Sequence, residues 1–252
     1  ACASSNHAMI DALNLIRWGK ADVVVTGGSE ASINEPGVGS FCGMMALSNR
    51  NDDAAHASRP FDAARDGFVI AEGGGALVFE ELEHAQKRGA KIYCEVVGGG
   101  MSADAHHMTA PHPEGKGAMI AMREALRDAD MEPCEIDYIN AHGTSTSLGD
   151  IAEIKAIQSL FGDHAYNLNI SSTKSMVGHL LGATAAVEAL ACVMAITKGI
   201  IPPTINVETL DAEIDSNLNL TLGVCQHREV RAALSNTFGF GGHNSSIIFR
   251  KI

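Results

Sequence analysis

The residues able to do chemistry gather in stretches of small and polar amino acids that interrupt apolar runs. In "ACASSNHAMIDALNLIRWG", Cys2 stands directly before a helical pattern. A thiol at the first turn of a helix feels the positive end of the helix dipole, which favours the nucleophilic thiolate. Free cysteine is also a common small buried hydrophobe, so Cys2 alone reads more readily as structural than as a nucleophile. "NAHGTSTSLGD" (140–150) puts His142 after an apolar strand and ahead of Thr144, Ser145, Thr146 and Ser147. Those hydroxyls suit an amide-bearing ligand arm, or a helix N-cap cluster. "SSTKSMVGHLLGATAAVEAL" (171–190) brings Lys174 and His179 to the mouth of an apolar helix. Glu188 inside that helix is a candidate buried acid for a nearby lysine, or part of a solvated face. "NTFGFGGHN" (236–244) surrounds Phe238 and Phe240 with glycines. Such a turn presents backbone N–H groups to a ligand, or simply closes a hairpin.

The elements that must position these residues are visible as alternating patterns. "SNHAMIDALNLIRWG" reads as a helix stopped by Gly19, and "ADVVVTGG" as a short apolar strand. Residues 34–75 read as loops with one short helix. "GALVFEE" is a strand, "EELEHAQKRG" a short helix ending at Gly89, and "KIYCEVVGGG" a strand. Helices are expected over 115–129, 149–161 and roughly 179–198, with strands at "IDYINAHG", "NLNISST", "RAALSNTFG" and "SSIIFR". Apolar strands alternating with helices imply an α/β fold with a mostly parallel sheet covered on both faces. The last two strands could pair as a hairpin across "FGGHN". Ligands in such sheets bind where strand C-termini open into loops, which is where His142 and Lys174 lie.

Composition narrows the class. The chain has 252 residues, 46% hydrophobic and 19% charged, enough for a substantial core. Its net charge of −12 argues against nonspecific binding to nucleic acid or an anionic membrane. No apolar run reaches the roughly 20 residues of a membrane span, and residues 1–18 lack the basic start of a signal peptide. The six cysteines form no CxxC pair, so no metal site is expected, and reduced thiols in a cytoplasmic protein are the default.

The order and context of the motifs are more specific than any one of them. "ACASSNHA", "NAHGTSTSLGD", "STKSMVGHLLGA" and "NTFGFGGHNSS", in that order, closely resemble the β-ketoacyl-acyl-carrier-protein synthases of the elongating type. "ASRPFDAARDGFVIAEGGGALVFEELEHAQKRGAKIY" and "MSADAHHMTAP" are similar to the same family, so the resemblance covers essentially the whole chain. It implies a thiolase-like five-layered αβαβα fold built from two related halves. Residues 1–90 would be the end of the N-terminal half, whose earlier part is missing, and 91–252 the C-terminal half.

The resemblance also implies roles. Cys2 is the acyl-accepting nucleophile, His142 and His179 are the paired catalytic histidines, and Lys174 with the buried Glu188 stands behind them. The backbone N–H groups of Cys2 and Phe240 form the oxyanion hole. Thr144 and Thr146 hold the phosphopantetheine arm, Phe41, Phe238 and Phe240 line or gate the acyl pocket, and His107 joins the substrate-binding set. The implied reaction is decarboxylative condensation of a malonyl thioester with an acyl-cysteine. It needs no cofactor of its own, since phosphopantetheine arrives on the acyl carrier protein, and a homodimer is expected. A second histidine, where thiolase relatives use a second cysteine, favours the decarboxylating branch.

Met45 in "CGMMALS" departs from the basic residue that many bacterial members carry before "ALS". Rival readings are a polyketide-type synthase of the same mechanism and a noncatalytic carrier-binding fragment. An N-terminal-nucleophile hydrolase would need its cysteine at position 1, and Cys2 is one residue too late unless Ala1 is removed.

Overall fold

Helix α1 (Ser4–Arg17) buries Met9, Ile10, Ala12 and Leu13, apolar residues at the spacing that forms one helical face. Arg17 in its last turn complements the dipole, and Gly19 turns the chain away at φ +65°. The computed structural model, which describes residues 1–252, continues with β1 (Val23–Glu30), α2 (Glu35–Gly43), β2 (Gly73–Glu80) and α3 (Leu82–Lys87). Strands β1 and β2 pair antiparallel, with Val23 opposite Glu80. The Asn34 side chain caps α2 by accepting the Gly37 N–H.

The remaining elements are β3 (Glu95–Ala103), α4 (Lys116–Asp128), β4 (Tyr138–Asn140), α5 (Ser147–Phe161), β5 (Asn169–Ser171), α6 (Lys174–Val177), α7 (Thr184–Lys198), β6 (Ile200–Ile201), β7 (Gln226–His227), β8 (Ala232–Gly239) and β9 (His243–Arg250). Five strands form one sheet in the order β3-β9-β8-β4-β5. The expected mostly parallel sheet is corrected to a mixed one: β4 runs parallel to β5 and β8, whereas β9 is antiparallel to β8 and β3. The cause is the turn through Gly241 and Gly242, whose φ values of +85° and +74° return β9 alongside β8 as the expected hairpin.

Strand alternation divides the core between the two faces of this sheet. Ile139, Leu234 and Ile248 join α4 and α5 in one cluster, while Tyr138, Ala233, Ile247 and Phe249 join α1 and α7 in the other. Helix α1 also packs on β1 and α7 on β2, so this helix pair lies between the two sheets. The stack is therefore α4 and α5, the five-stranded sheet, α1 and α7, then β1 and β2. The segment α1-β1-β2 repeats the order of α7-β8-β9, a helix followed by an antiparallel strand pair. These are four successive layers of the expected αβαβα arrangement.

Two expected elements differ in their ends. The helix expected from about 179 is divided, with α6 ending at Gly178 (φ +72°) and α7 beginning at Thr184 after a 3-10 turn over Leu181–Ala183. His179 falls in the irregular stretch between them, which is what turns it inward. Leu181–Lys198 is, by length and composition, long and apolar enough to cross a membrane. Its apolar character is spent here on burial between the two sheets.

Candidate active site

The C-terminal ends of β4 and β8, the N-terminal end of α1 and the stretch between α6 and α7 converge on one narrow cavity of about 80 Å³. Its wall includes Cys2, His142, His179, Thr144, Thr146, Phe238 and Phe240, residues separated in sequence by as much as the length of the fold. Each lies at or near the end of a strand or helix, where segments from several elements can meet.

Cys2 precedes Ala3, the N-cap of α1, so it sits just outside the first turn rather than in it. It is 4% exposed. His179 Nε2 lies 3.2 Å from its sulfur, and the N–H groups of Phe240 and of Cys2 itself are directed at the same atom. Burial outweighs these donors and the nearby Lys174 charge, and pushes the Cys2 thiol above its ordinary value. The expected resting thiolate is thereby corrected: the buried thiol holds its proton, and a neighbouring base must take it.

The two histidine rings stand 5.4 Å apart, nearly perpendicular. Burial first, then the positive charge of Lys174, drives both imidazoles well below the ordinary histidine range, so both are neutral. His179 Nδ1 shares a hydrogen bond of 2.9 Å with the Thr184 hydroxyl. His142 packs against Phe238, and its Nδ1 is buried without a partner.

Lys174 is 1% exposed and ion-paired with the fully buried Glu188, so the lysine expected behind the histidines is there, outside the cavity wall. Desolvation raises Glu188 to about 7, against the pull of Lys174. Thr144 Oγ1 and Thr146 Oγ1 are 3.0 Å apart on the opposite wall. Phe41 is not in the cavity wall; it packs edge-on to Phe68, which is. His107 is exposed on the loop at the mouth and accepts the Thr109 and Ala110 N–H groups on Nδ1, so it shapes that loop and does not line the cavity.

Glu153 belongs to none of the sequence motifs. Its carboxylate accepts the N–H groups of His142 and Gly143, each at 2.8 Å, and the Asn236 amide at 3.1 Å. Burial raises it to about 7. The signal available was an acid on the apolar face of α5, between Ile151, Ile154 and Ile157. Thr184 and Phe68 are likewise new, and neither has a local signature.

Residues 1–85 match the family described as beta-ketoacyl synthase, N-terminal domain, and residues 93–208 match beta-ketoacyl synthase, C-terminal domain. The chain is 51% identical to 3-oxoacyl-[acyl-carrier-protein] synthase 2 of Synechocystis, covering 100% of this chain and 60% of that protein. It is 52% identical to the chloroplastic 3-oxoacyl-[acyl-carrier-protein] synthase II of Arabidopsis thaliana, covering 99% of this chain and 46% of that one. Among solved structures, a type II PKS acyl-carrier protein in complex with its ketosynthase matches with a TM-score of 0.97 at 39% identity, over 100% of this chain and 61% of that one. A beta-ketoacyl synthase from Burkholderia phymatum matches with a TM-score of 0.92 at 40% identity, over 100% and 60%. The chain thus spans about 60% or less of the length of these curated relatives.

Proposed function

Since the chain belongs to the β-ketoacyl synthase family and has its thiolase-like fold, we propose that it carries the catalytic residues of an elongating condensing enzyme. The observation that carries this reading is the convergence of Cys2, His142, His179 and the Phe240 N–H on one cavity.

In the proposed first step Cys2 Sγ attacks an acyl thioester while His179 Nε2 takes the thiol proton. The oxyanion forms against the N–H groups of Cys2 and Phe240, and the departing thiolate of the carrier arm recovers that proton from His179. A malonyl thioester then enters. Neutral His142 and His179 each donate an N–H to its thioester oxygen, which stabilises the enolate left when CO2 departs. The enolate carbon attacks the acyl-Cys2 carbonyl, the C–S bond breaks, and the product is a β-ketoacyl thioester two carbons longer. Cys2 leaves as a thiolate and is reprotonated from solvent. No electrons are gained or lost, so the sequence needs no redox cofactor, and the Thr144–Thr146 pair would hold the amide arm of the substrate.

The names of the relatives support an acyl carrier protein as partner and fatty-acid elongation as the pathway. Met45, 88% exposed, stands where many bacterial members carry a basic residue, so one expected charge contact to the carrier would be absent. The family resemblance further supports a homodimer, which light scattering on the purified protein tests; the unpaired cysteines are in keeping with a reducing compartment such as the cytoplasm. A polyketide-type ketosynthase of the same mechanism is the second reading, favoured by the match to a type II PKS complex. The test is incubation with malonyl-carrier and an acyl-carrier primer. CO2 and one product longer by two carbons are expected; repeated extension on one carrier would favour the polyketide reading. Folded protein that yields neither sinks the condensing assignment.

A further inference from the structure

The hydroxyl pair Thr144 and Thr146 sits on a backbone that should not hold its shape unaided. Ser145, between them, is at φ +69°, a left-handed conformation that non-glycine residues adopt only when their surroundings enforce it. The enforcement comes from the segment 59–67. The Arg59 N–H donates to Ser145 Oγ at 3.1 Å, and the Gly67 N–H donates to the Ser145 carbonyl at 3.0 Å.

Arg65 completes the clamp. It is 7% exposed, and its guanidinium donates to the carbonyls of Thr146 at 3.1 Å and Ser147 at 2.7 Å. Those carbonyls belong to the N-cap and first residue of α5, the positive end of the helix, where a buried cation is electrostatically misplaced. Asp150 at 3.4 Å and Asp211 at 2.6 Å offset the charge. Arg65 also donates to the Asp62 carbonyl at 2.7 Å, and a planar fork is what lets one side chain hold three carbonyls and two acids together, which lysine cannot reproduce.

We propose that Arg65 is a positioning residue that presets the Thr144–Thr146 hydroxyl pair for the amide-bearing arm of the thioester substrate. It does not touch the reacting atoms and does not itself line the cavity; it acts through the carbonyls of Thr146, which does line it, and Ser147. The inference rests on the condensing reading and deepens it, because it assigns recognition of the arm, as distinct from the acyl group, to a buried arginine behind the site.

The experiment compares two acyl donors carrying the same acyl group, an acyl-pantetheine with the amide arm and an S-ethyl thioester without it. Acylation of Cys2 is followed by intact-mass spectrometry, and the readout is the ratio of the two rates. Wild type is expected to prefer the arm-bearing donor. Arg65→Lys should lower the ratio about tenfold, the scale of losing one hydrogen bond to the arm, while the S-ethyl rate stays within about twofold. Asp211→Asn removes an ion pair but none of the carbonyl bonds, so it should lower the melting temperature and leave the ratio intact. Should Arg65→Lys fail to fold, Ser145→Ala, which deletes the hydroxyl that Arg59 N–H reaches, is expected to lower the ratio in the same direction. A folded Arg65→Lys with the wild-type ratio overturns the proposal, as does an equal fall in Asp211→Asn. If wild type accepts both donors without preference, only this inference falls. If wild type accepts neither, the condensing reading fails and takes it along.

Discussion

His179 holds Cys2 and Thr184 at once, with Nε2 3.2 Å from the sulfur and Nδ1 2.9 Å from the threonine hydroxyl. Because a hydroxyl both donates and accepts, Thr184 tolerates the imidazole proton on either nitrogen. His179 can therefore accept the Cys2 proton in one half-reaction and present an N–H in the other. His142 has no such bond to the sulfur, although its ring is the neighbour of His179. The two histidines are not equivalent.

That inequality separates their variants. His142→Ala should still acylate Cys2 at near the wild-type rate, yet lose malonyl decarboxylation by about 10²–10³-fold, the usual cost of one oxyanion donor. His179→Ala should lose both steps, since it removes the base as well as a donor. Burst acylation by mass spectrometry and CO2 release measured on the same samples decide it. Intact acylation in His179→Ala would mean that the 3.2 Å contact does not move the proton.

Burial sets the pH behaviour of the nucleophile. With the Cys2 thiol pushed above its ordinary value, its thiolate fraction keeps rising at a pH where a free model thiol is already ionised. Alkylation of Cys2 by iodoacetamide should still be accelerating when labelling of a short cysteine peptide in the same tube has levelled off. Peptide mass spectrometry over a pH series gives both curves together. A Cys2 plateau at or below that of the reference peptide would restore the resting thiolate.

Glycines of β3 let α4 approach the sheet closely. A Cβ on Gly100 would stand 2.0 Å from the Ala121 carbonyl and 2.4 Å from the Ala125 N, both backbone of α4. Neither can yield without displacing the helix. Gly100→Ala should cost about 1–3 kcal/mol or more in urea unfolding. Gly39→Ala, where nothing lies within 4 Å, should be neutral or gain up to about 1 kcal/mol as a helix-interior substitution. Equal stability of the two would refute the close approach of α4.

What could be read in the sequence was whatever has a local signature. Cys2, His142, Lys174 and His179 stood out because small residues surround them at strand or helix ends, and the Gly241–Gly242 turn announced its hairpin. The thiol's protonation state did not, because it depends on how deeply α1 is buried against β8 and β9, a tertiary fact. Strand direction is not legible in the sequence, because apolar runs mark burial on both faces and carry no sign of parallel or antiparallel pairing. Glu153 and Arg65 are ordinary charged residues in sequence. Only their burial, 2% and 7% exposed, distinguishes them.

The Lys174–Glu188 pair gives the last prediction, and its sign follows from the direction of the shift. Glu188 is raised to about 7 from 4.5, so its contribution to stability is fully present below about 4.5 and is lost as pH rises through 7. Lys174 limits that loss by its attraction. In Lys174→Met the carboxyl must stay protonated to still higher pH, so the variant falls further behind wild type as pH increases. Breaking a buried pair costs about 3–5 kcal/mol, which is expected at pH 8, with a clearly smaller gap at pH 6, where Glu188 is protonated in both proteins. The same charge depresses His142 and His179, so its loss should let the imidazoles protonate at higher pH and bring an acid limb of activity closer to neutrality. Urea unfolding at the two pH values measures the first effect, and the pH profile of decarboxylation the second. A stability gap that narrows with rising pH would show that Glu188 does not depend on Lys174 for its charge.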